Sequence, residues 1–314
     1  KTIGAVNISG SKEINFNYQK MLSTDQYEFN NFLSIEQKIK DLKKNDQLCY
    51  AIIVEPLSAS TLKKSDDEFL KKVRNLCNQE NIILIYDEIY SGWCKTGDLF
   101  NFFSSTTIPD ILVFAKSFGG GKASISGYTV RDNIMEKTYD NPDDFSLQSS
   151  TFNGFGEESI TAIEAINIIF DQNYEEKSKK IGKFLRQILN NLKAKHPNIV
   201  DEIRGSGSFQ GFTLKSLFNQ QIENILVKFI PVKSYRDKNF FKKILCASII
   251  NHMYKNYNIL TFGSYQSDVL FKVSPIIETN IDDLKFFENK IDKTMQIGVI
   301  NLVSEFIKYK FIKK

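Results

Sequence analysis

Three short apolar runs, YAIIVEP at 50–56, IILIYDE at 82–88 and DILVFAK at 110–116, constrain this 314-residue chain more than any other feature. Each is continuous rather than alternating, the pattern of strands covered on both faces in a parallel sheet. Between the first two lies SDDEFLKKVRNLCNQE, where Phe69, Val73, Leu76 and Cys77 make one apolar helical stripe and Ser65 with Glu68 reads as a capping box. Strand, helix and strand within about thirty residues form a βαβ unit, so the spacing predicts parallel strands. The second gap is shorter, broken by Gly92, Gly97 and Pro109, with one helical turn expected near Leu99 to Phe103.

Every run ends in a charge: Glu55, then Asp87 or Glu88, then Lys116. Parallel strands place those ends on one rim, the side on which open α/β sheets bind ligands. Farther along, Ile160, Ile163, Ile166, Ile169 and Phe170 mark one helix, and Ile181, Leu185, Ile188, Leu189 and Leu192 a longer one. EIRGSGSFQGFTLK reads as a glycine-punctuated turn entering a strand. An amphipathic helix is expected over 238–256, VLFKVSP is a strand, and a last helix starts near Asp282 under an Asn280 or Asp282 cap. The chain also opens on an expected strand. The pattern predicts a mostly parallel α/β sheet with helices on both faces in a large domain, 1–172. An interdomain helix and a smaller C-terminal α+β domain follow over 173–314.

Composition narrows the chemistry. The net charge of +4 comes from 41 basic and 37 acidic residues spread along the chain, which argues against a nucleic-acid partner. No apolar run reaches the ~18 residues of a membrane span, and KTIGAVNISGSK has no signal-peptide layout. A soluble, cytoplasmic protein is expected. Four cysteines without CxxC spacing and only two histidines speak against a metal site or a disulfide framework. Catalysis would rest on Lys, Asp, Glu, Ser, Thr or a borrowed cofactor.

Two enzyme classes end a buried strand in an acid pair. In an ATPase, IILIYDE would be a Walker B strand and SFGGGKAS the phosphate loop. The loop fails by count: the position that needs the first glycine is Lys116, and Ala123 stands where a hydroxyl should bind magnesium. In pyridoxal phosphate chemistry, a lysine amine condenses with the cofactor aldehyde and an acid holds the pyridine nitrogen's proton. Asp87 and Lys116 at adjacent strand ends suit that chemistry without a metal.

The ordered set EP…DEIYSGWCKTGDLF…PDILVFAKSFGGG…STFNG…IRGSGSFQG resembles the class III pyridoxal-phosphate aminotransferases of fold type I, over residues 1 to about 293. The resemblance implies that Lys116 is the Schiff-base lysine, that Asp87 is the partner of the pyridine nitrogen, and that Ile89 packs on the ring. It implies a substrate-handling role for Glu55, with Lys272 at a place where amino-acid-specific members often carry a substrate-binding Arg. Thr151 would donate its hydroxyl to the pyridoxal 5'-phosphate of a neighbouring subunit, which implies a homodimer with shared active sites. The implied reaction moves an amino group from an amine or amino acid to a 2-oxo acid. An aminomutase of the glutamate-1-semialdehyde type and a catalytically silent dimerisation module are the alternatives.

The sequence departs from the family pattern at Cys94 (usually Gly), Lys95 (usually Arg), and Phe155-Gly156 (usually Asn-Pro). A lysine lacks the guanidinium fork that grips a carboxylate at two points. The resemblance begins just after the family's aromatic-His-Gly segment and phosphate-cradling loop, so the chain is expected to be an N-terminally truncated piece that binds cofactor weakly alone.

Overall fold

The computed structural model describes Ile8 and residues 22–147, 150–216, 239–265 and 268–308; the expected opening strand lies outside them. Helix α1 (Phe32–Lys44) precedes strand β1 (Ala51–Val54), helix α2 (Asp67–Glu80), and strands β2 (Ile83–Asp87) and β3 (Ile111–Phe114). The three strands are parallel, with Ile53 opposite Ile85 and Asp87 opposite Val113. Strand β4 (Gly127–Val130) adds an antiparallel edge against β3.

Burial alternates along these strands, unlike the coverage of both faces that their continuous apolar runs lead one to expect: among the described residues one face is covered and the other is half-open. Ile52, Val54, Leu84 and Tyr86 point into a core with Ile35 and Ile39 of α1 and Phe69, Val73 and Cys77 of α2. The expected stripe of α2 is therefore the buried one. Asp87 shares the opposite, less covered face with Ile85 and Ile53. The capping box does not form. Helix α2 begins after Asp66, which makes no side-chain cap bond, and the Ser65 hydroxyl instead donates to Glu55 O at 3.2 Å. Ser65 is used to fasten the end of β1.

Helix α3 (Asp132–Thr138) leads to α4 (Gly156–Asp171) and α5 (Tyr174–Lys195). On α4 the expected stripe is only partly the buried one: Ile169 faces inward with Ala162 and Ala165, Ile166 is half-buried against the same core, and Ile160, Ile163 and Phe170 are 69%, 58% and 62% exposed. The cause is a close approach. Gly120, in the turn after β3, has room for a Cβ only 3.0 Å from that of Ala165, so small side chains must face the turn.

The second sheet is antiparallel, built from β5 (Val200–Ser206), β6 (Phe209–Leu214), β7 (Phe262–Tyr265) and β8 (Val269–Val273) in the order β5-β6-β8-β7. Helices α5, α6 (Phe240–Tyr257), α7 (Ile281–Gln296) and α8 (Val299–Ile307) share its core. The α5 stripe is buried as expected, every residue of β6 and β8 is buried, and Asn280 Oδ1 caps α7 by accepting from Asp283 N at 2.8 Å.

The two sheets meet at the loop 93–97. Ser206 Oγ donates to Thr96 O (2.9 Å) and Ser208 N to Lys95 O (3.1 Å). Gly207, at φ +54, approaches so closely that a Cβ would lie 2.4 Å from the Thr96 carbonyl carbon. Among the described residues no helix is long and apolar enough to cross a membrane, and no three His, Cys, Asp or Glu side chains gather as a metal site would require.

Candidate active site

The parallel strands deliver their last residues to one rim, and the acid pair splits there because successive side chains of a strand point to opposite faces. Glu88 turns inward. It is fully buried and accepts from Ser91 Oγ (3.0 Å), Asn101 N (2.6 Å) and Phe102 N (2.9 Å), fastening the short 3₁₀ turn Asn101–Ser104. Burial pushes its carboxyl up to about 7 despite those donors. Asp87 turns to the open face. It is half-buried, its Oδ1 accepts from Ile89 N at 3.0 Å, and no ion pair reaches it among the described residues. Burial raises its pKa above the ordinary carboxylate value, with that single bond opposing. A carboxylate so placed favours a cation beside it.

Lys116 leaves the neighbouring strand. Its backbone adopts φ +56, in the left-handed region, and it opens the 3₁₀ turn Lys116–Gly119. Phe118 stacks on Trp93 within that turn (5.0 Å, 13°). The exposed Lys116 amine lies 5.1 Å from the centre of the Tyr90 ring, and Tyr90 stacks on Phe209 (5.0 Å, 24°).

Lys272 reaches the same neighbourhood from the second sheet. Its Nζ is 5.9 Å from the Phe209 ring and donates to Ala59 O at 2.5 Å, while Glu55 Oε2 accepts from Ala59 N at 2.8 Å. The lysine is 5% exposed, and burial depresses its pKa to about 8 against the opposing charge of Glu55. Glu55 and Lys272 thus come together, and aromatic contacts through Phe209 and Tyr90 connect them to Lys116.

Ile89 is half-buried beside Asp87. Thr151 is exposed in the turn 151–154, reached by none of these contacts. Lys95, at the family's arginine position, is half-buried and donates to Pro275 O at 3.4 Å. Sequence reasoning missed Tyr90 and Ala59. Tyr90 stands in the DEIYSG motif, an aromatic three places past Asp87; for Ala59, whose backbone alone takes part, the sequence carries no signal.

A comparison with protein families gives a match over residues 4–240 to the model described as "Aminotransferase class-III". The chain belongs to the class III aminotransferases. This class III chain is 25% identical to the Aminotransferase PigE of a Serratia species over 298 residues, 88% of this chain and 34% of that one. It is 28% identical to the acetylornithine aminotransferase of Prochlorococcus marinus over 235 residues, 73% of this chain and 54% of that one. It therefore spans about a third to a half of the curated relatives it matches. A crystal structure of the ornithine aminotransferase of Toxoplasma gondii, described with partial occupancy of PLP at its active site, superposes with a TM-score of 0.75 at 20% identity. That match covers 96% of this chain and 62% of that one. The expected type I transferase fold is the one observed.

Proposed function

We propose that this chain forms the catalytic part of a pyridoxal-phosphate-dependent aminotransferase, moving an amino group from an amine or amino acid to a 2-oxo acid. One observation carries the reading: Asp87 and Lys116 extend from the ends of adjacent parallel strands, paired through Asp87 and Val113, onto one rim. The residues fit the cofactor. The half-buried Asp87 has no cation of its own among the described residues, which suits a protonated ring nitrogen beside it. Pyridoxal 5'-phosphate, when bound, supplies an aromatic ring that accepts the electrons left as a substrate carbon loses its proton.

This chain's residues would do the rest. Asp87 would keep a proton on the ring nitrogen, helped by the low-dielectric wall that Ile85 makes on the same face. Ile89 would pack on the ring. Lys116 would bind the cofactor through its amine and, once released, carry a proton at the substrate carbon. Glu55 and Lys272 would receive substrate carboxylates, Lys272 as a single point charge rather than a fork. Thr151 would donate its hydroxyl to the phosphate across a homodimer interface. The outward Ile160, Ile163 and Phe170 of α4, with exposed Phe152 and Phe155, support such a partner. Residues 1–172 would be the cofactor-binding domain and 173–314 the interdomain helix and small domain; the break between α4 and α5 supports that division. Four free cysteines suit a cytoplasmic setting.

The test is to incubate the protein with pyridoxal phosphate, reduce with borohydride and map the peptides. A phosphopyridoxyl group on Lys116 is expected; its absence at saturating cofactor would defeat the proposal. Turnover of an amine without any added oxo acid would point to an aminomutase.

A further inference from the structure

A second polar cleft lies away from the rim, between α5 and the turn that joins β5 to β6. Its volume is about 260 Å³, and Lys179, Lys183, Arg186, Ser206 and Gln210 line it. Lys179, Lys183 and Arg186 recur at helical spacing, so they share one face of α5. Their electrostatic balance is uneven. Lys179 pairs with Asp98 at 2.6 Å, and the nearby Glu175 accepts from Leu99 N at 2.6 Å. No carboxylate pairs with Lys183 or Arg186 among the described residues. Arg186 is half-buried, donates to Gly205 O at 2.6 Å, and burial alone depresses its pKa, with no acid offsetting it.

Gln210 adds an independent requirement. It is 1% exposed, and its Nε2 donates to both Gly182 O (2.7 Å) and Gly207 O (2.8 Å), which fixes the orientation of the amide. Its Oε1 is then a buried acceptor with no partner among the described residues. An unpaired buried acceptor is costly, and a donor brought to it is correspondingly favoured. We propose that this cleft binds a small oxyanion that also carries an O–H, of the hydrogen phosphate kind. The anionic oxygens would face Lys183 and Arg186, and the O–H would donate to Gln210 Oε1. Because the ligand would touch both α5 and the β5–β6 turn, its binding would brace the seam where the two sheets meet.

Inorganic phosphate and sulfate separate the requirement, since sulfate at pH 7 has no proton to give. Calorimetric titration of the full chain at constant ionic strength should show saturable phosphate binding, with sulfate weaker by about tenfold, the value of one buried hydrogen bond. Lys183 is exposed and unpaired among the described residues, so Lys183→Met should keep the ligand-free melting temperature and weaken phosphate by about tenfold. Equal binding of the two anions, no saturable phosphate binding, or undiminished phosphate binding by Lys183→Met would overturn the proposal. The cleft shares no residue with the Asp87–Lys116 rim, so the outcome is independent of the aminotransferase reading.

Discussion

Glu55 and Lys272 hold the two polar ends of one residue: the carboxylate accepts the amide of Ala59 and the amine donates to its carbonyl. The loop after β1 is thereby clamped between the two sheets by a charge from each. Lys272 ionises near 8 in the fold against 10.5 in the unfolded chain. Between those values the unfolded chain binds more protons, so the contribution of Lys272 to stability rises as the pH climbs from about 8 to 10.5. Denaturant titrations of the wild type and Lys272→Met across that window should diverge in the wild type's favour by up to about 3 kcal/mol. A constant difference would count against the buried charge.

Asp87 carries the opposite sign. Its folded pKa is raised, so its contribution is intact below the ordinary carboxylate value and is lost as the pH rises through the folded one. Asp87→Asn should therefore melt higher than the wild type at pH 7 without cofactor and equally near pH 3. If the proposed function holds, the same change should also lower transamination by about 100-fold or more, through loss of the charge that would face the ring nitrogen.

The neighbouring acid should respond differently. Glu88→Ala strips the acceptor from two backbone N–H groups, that of buried Asn101 and that of half-buried Phe102, and should cost about 2–4 kcal/mol in thermal or denaturant unfolding. A neutral effect would mean that the 3₁₀ turn re-pairs elsewhere.

Much of this arrangement was legible in the sequence, and the exceptions share a cause. Continuous apolar runs specify the buried strands locally, so β1 to β3 and the rim could be read directly. The inward face of α4 was legible only in part: Ile169 of the five expected residues is buried, but Gly120 approaches so closely that Ala165, outside the apolar stripe, faces the turn. Ser65 sits where a helix cap belongs, but the end of β1 competes for its hydroxyl. The clamp on Ala59 joins residues 213 positions apart through backbone atoms, which leave no mark on side-chain identity.

Gly207→Ala should be among the most damaging single substitutions. It sets a methyl group against the Thr96 backbone at a left-handed φ, and should cost about 3 kcal/mol or more. Melting curves provide the measurement; an unchanged midpoint would show that the 93–97 loop can shift freely.

The turned-out face of α4 gives a test of assembly. Ile160→Glu combined with Ile163→Glu should leave the monomer folded and abolish self-association in sedimentation equilibrium, because charges in an apolar contact lose their hydration. A wild type that sediments as a monomer at all concentrations would remove the homodimer.

Lys116 occupies a left-handed backbone geometry that costs any residue with a Cβ about 1–2 kcal/mol, and that glycine adopts freely. Chains selected for thermal robustness alone would drift from lysine towards glycine at this one place. A lysine there holds its amine against the preference of its own backbone, and Lys116→Gly would relieve that geometry while removing the amine on which the proposed reaction rests.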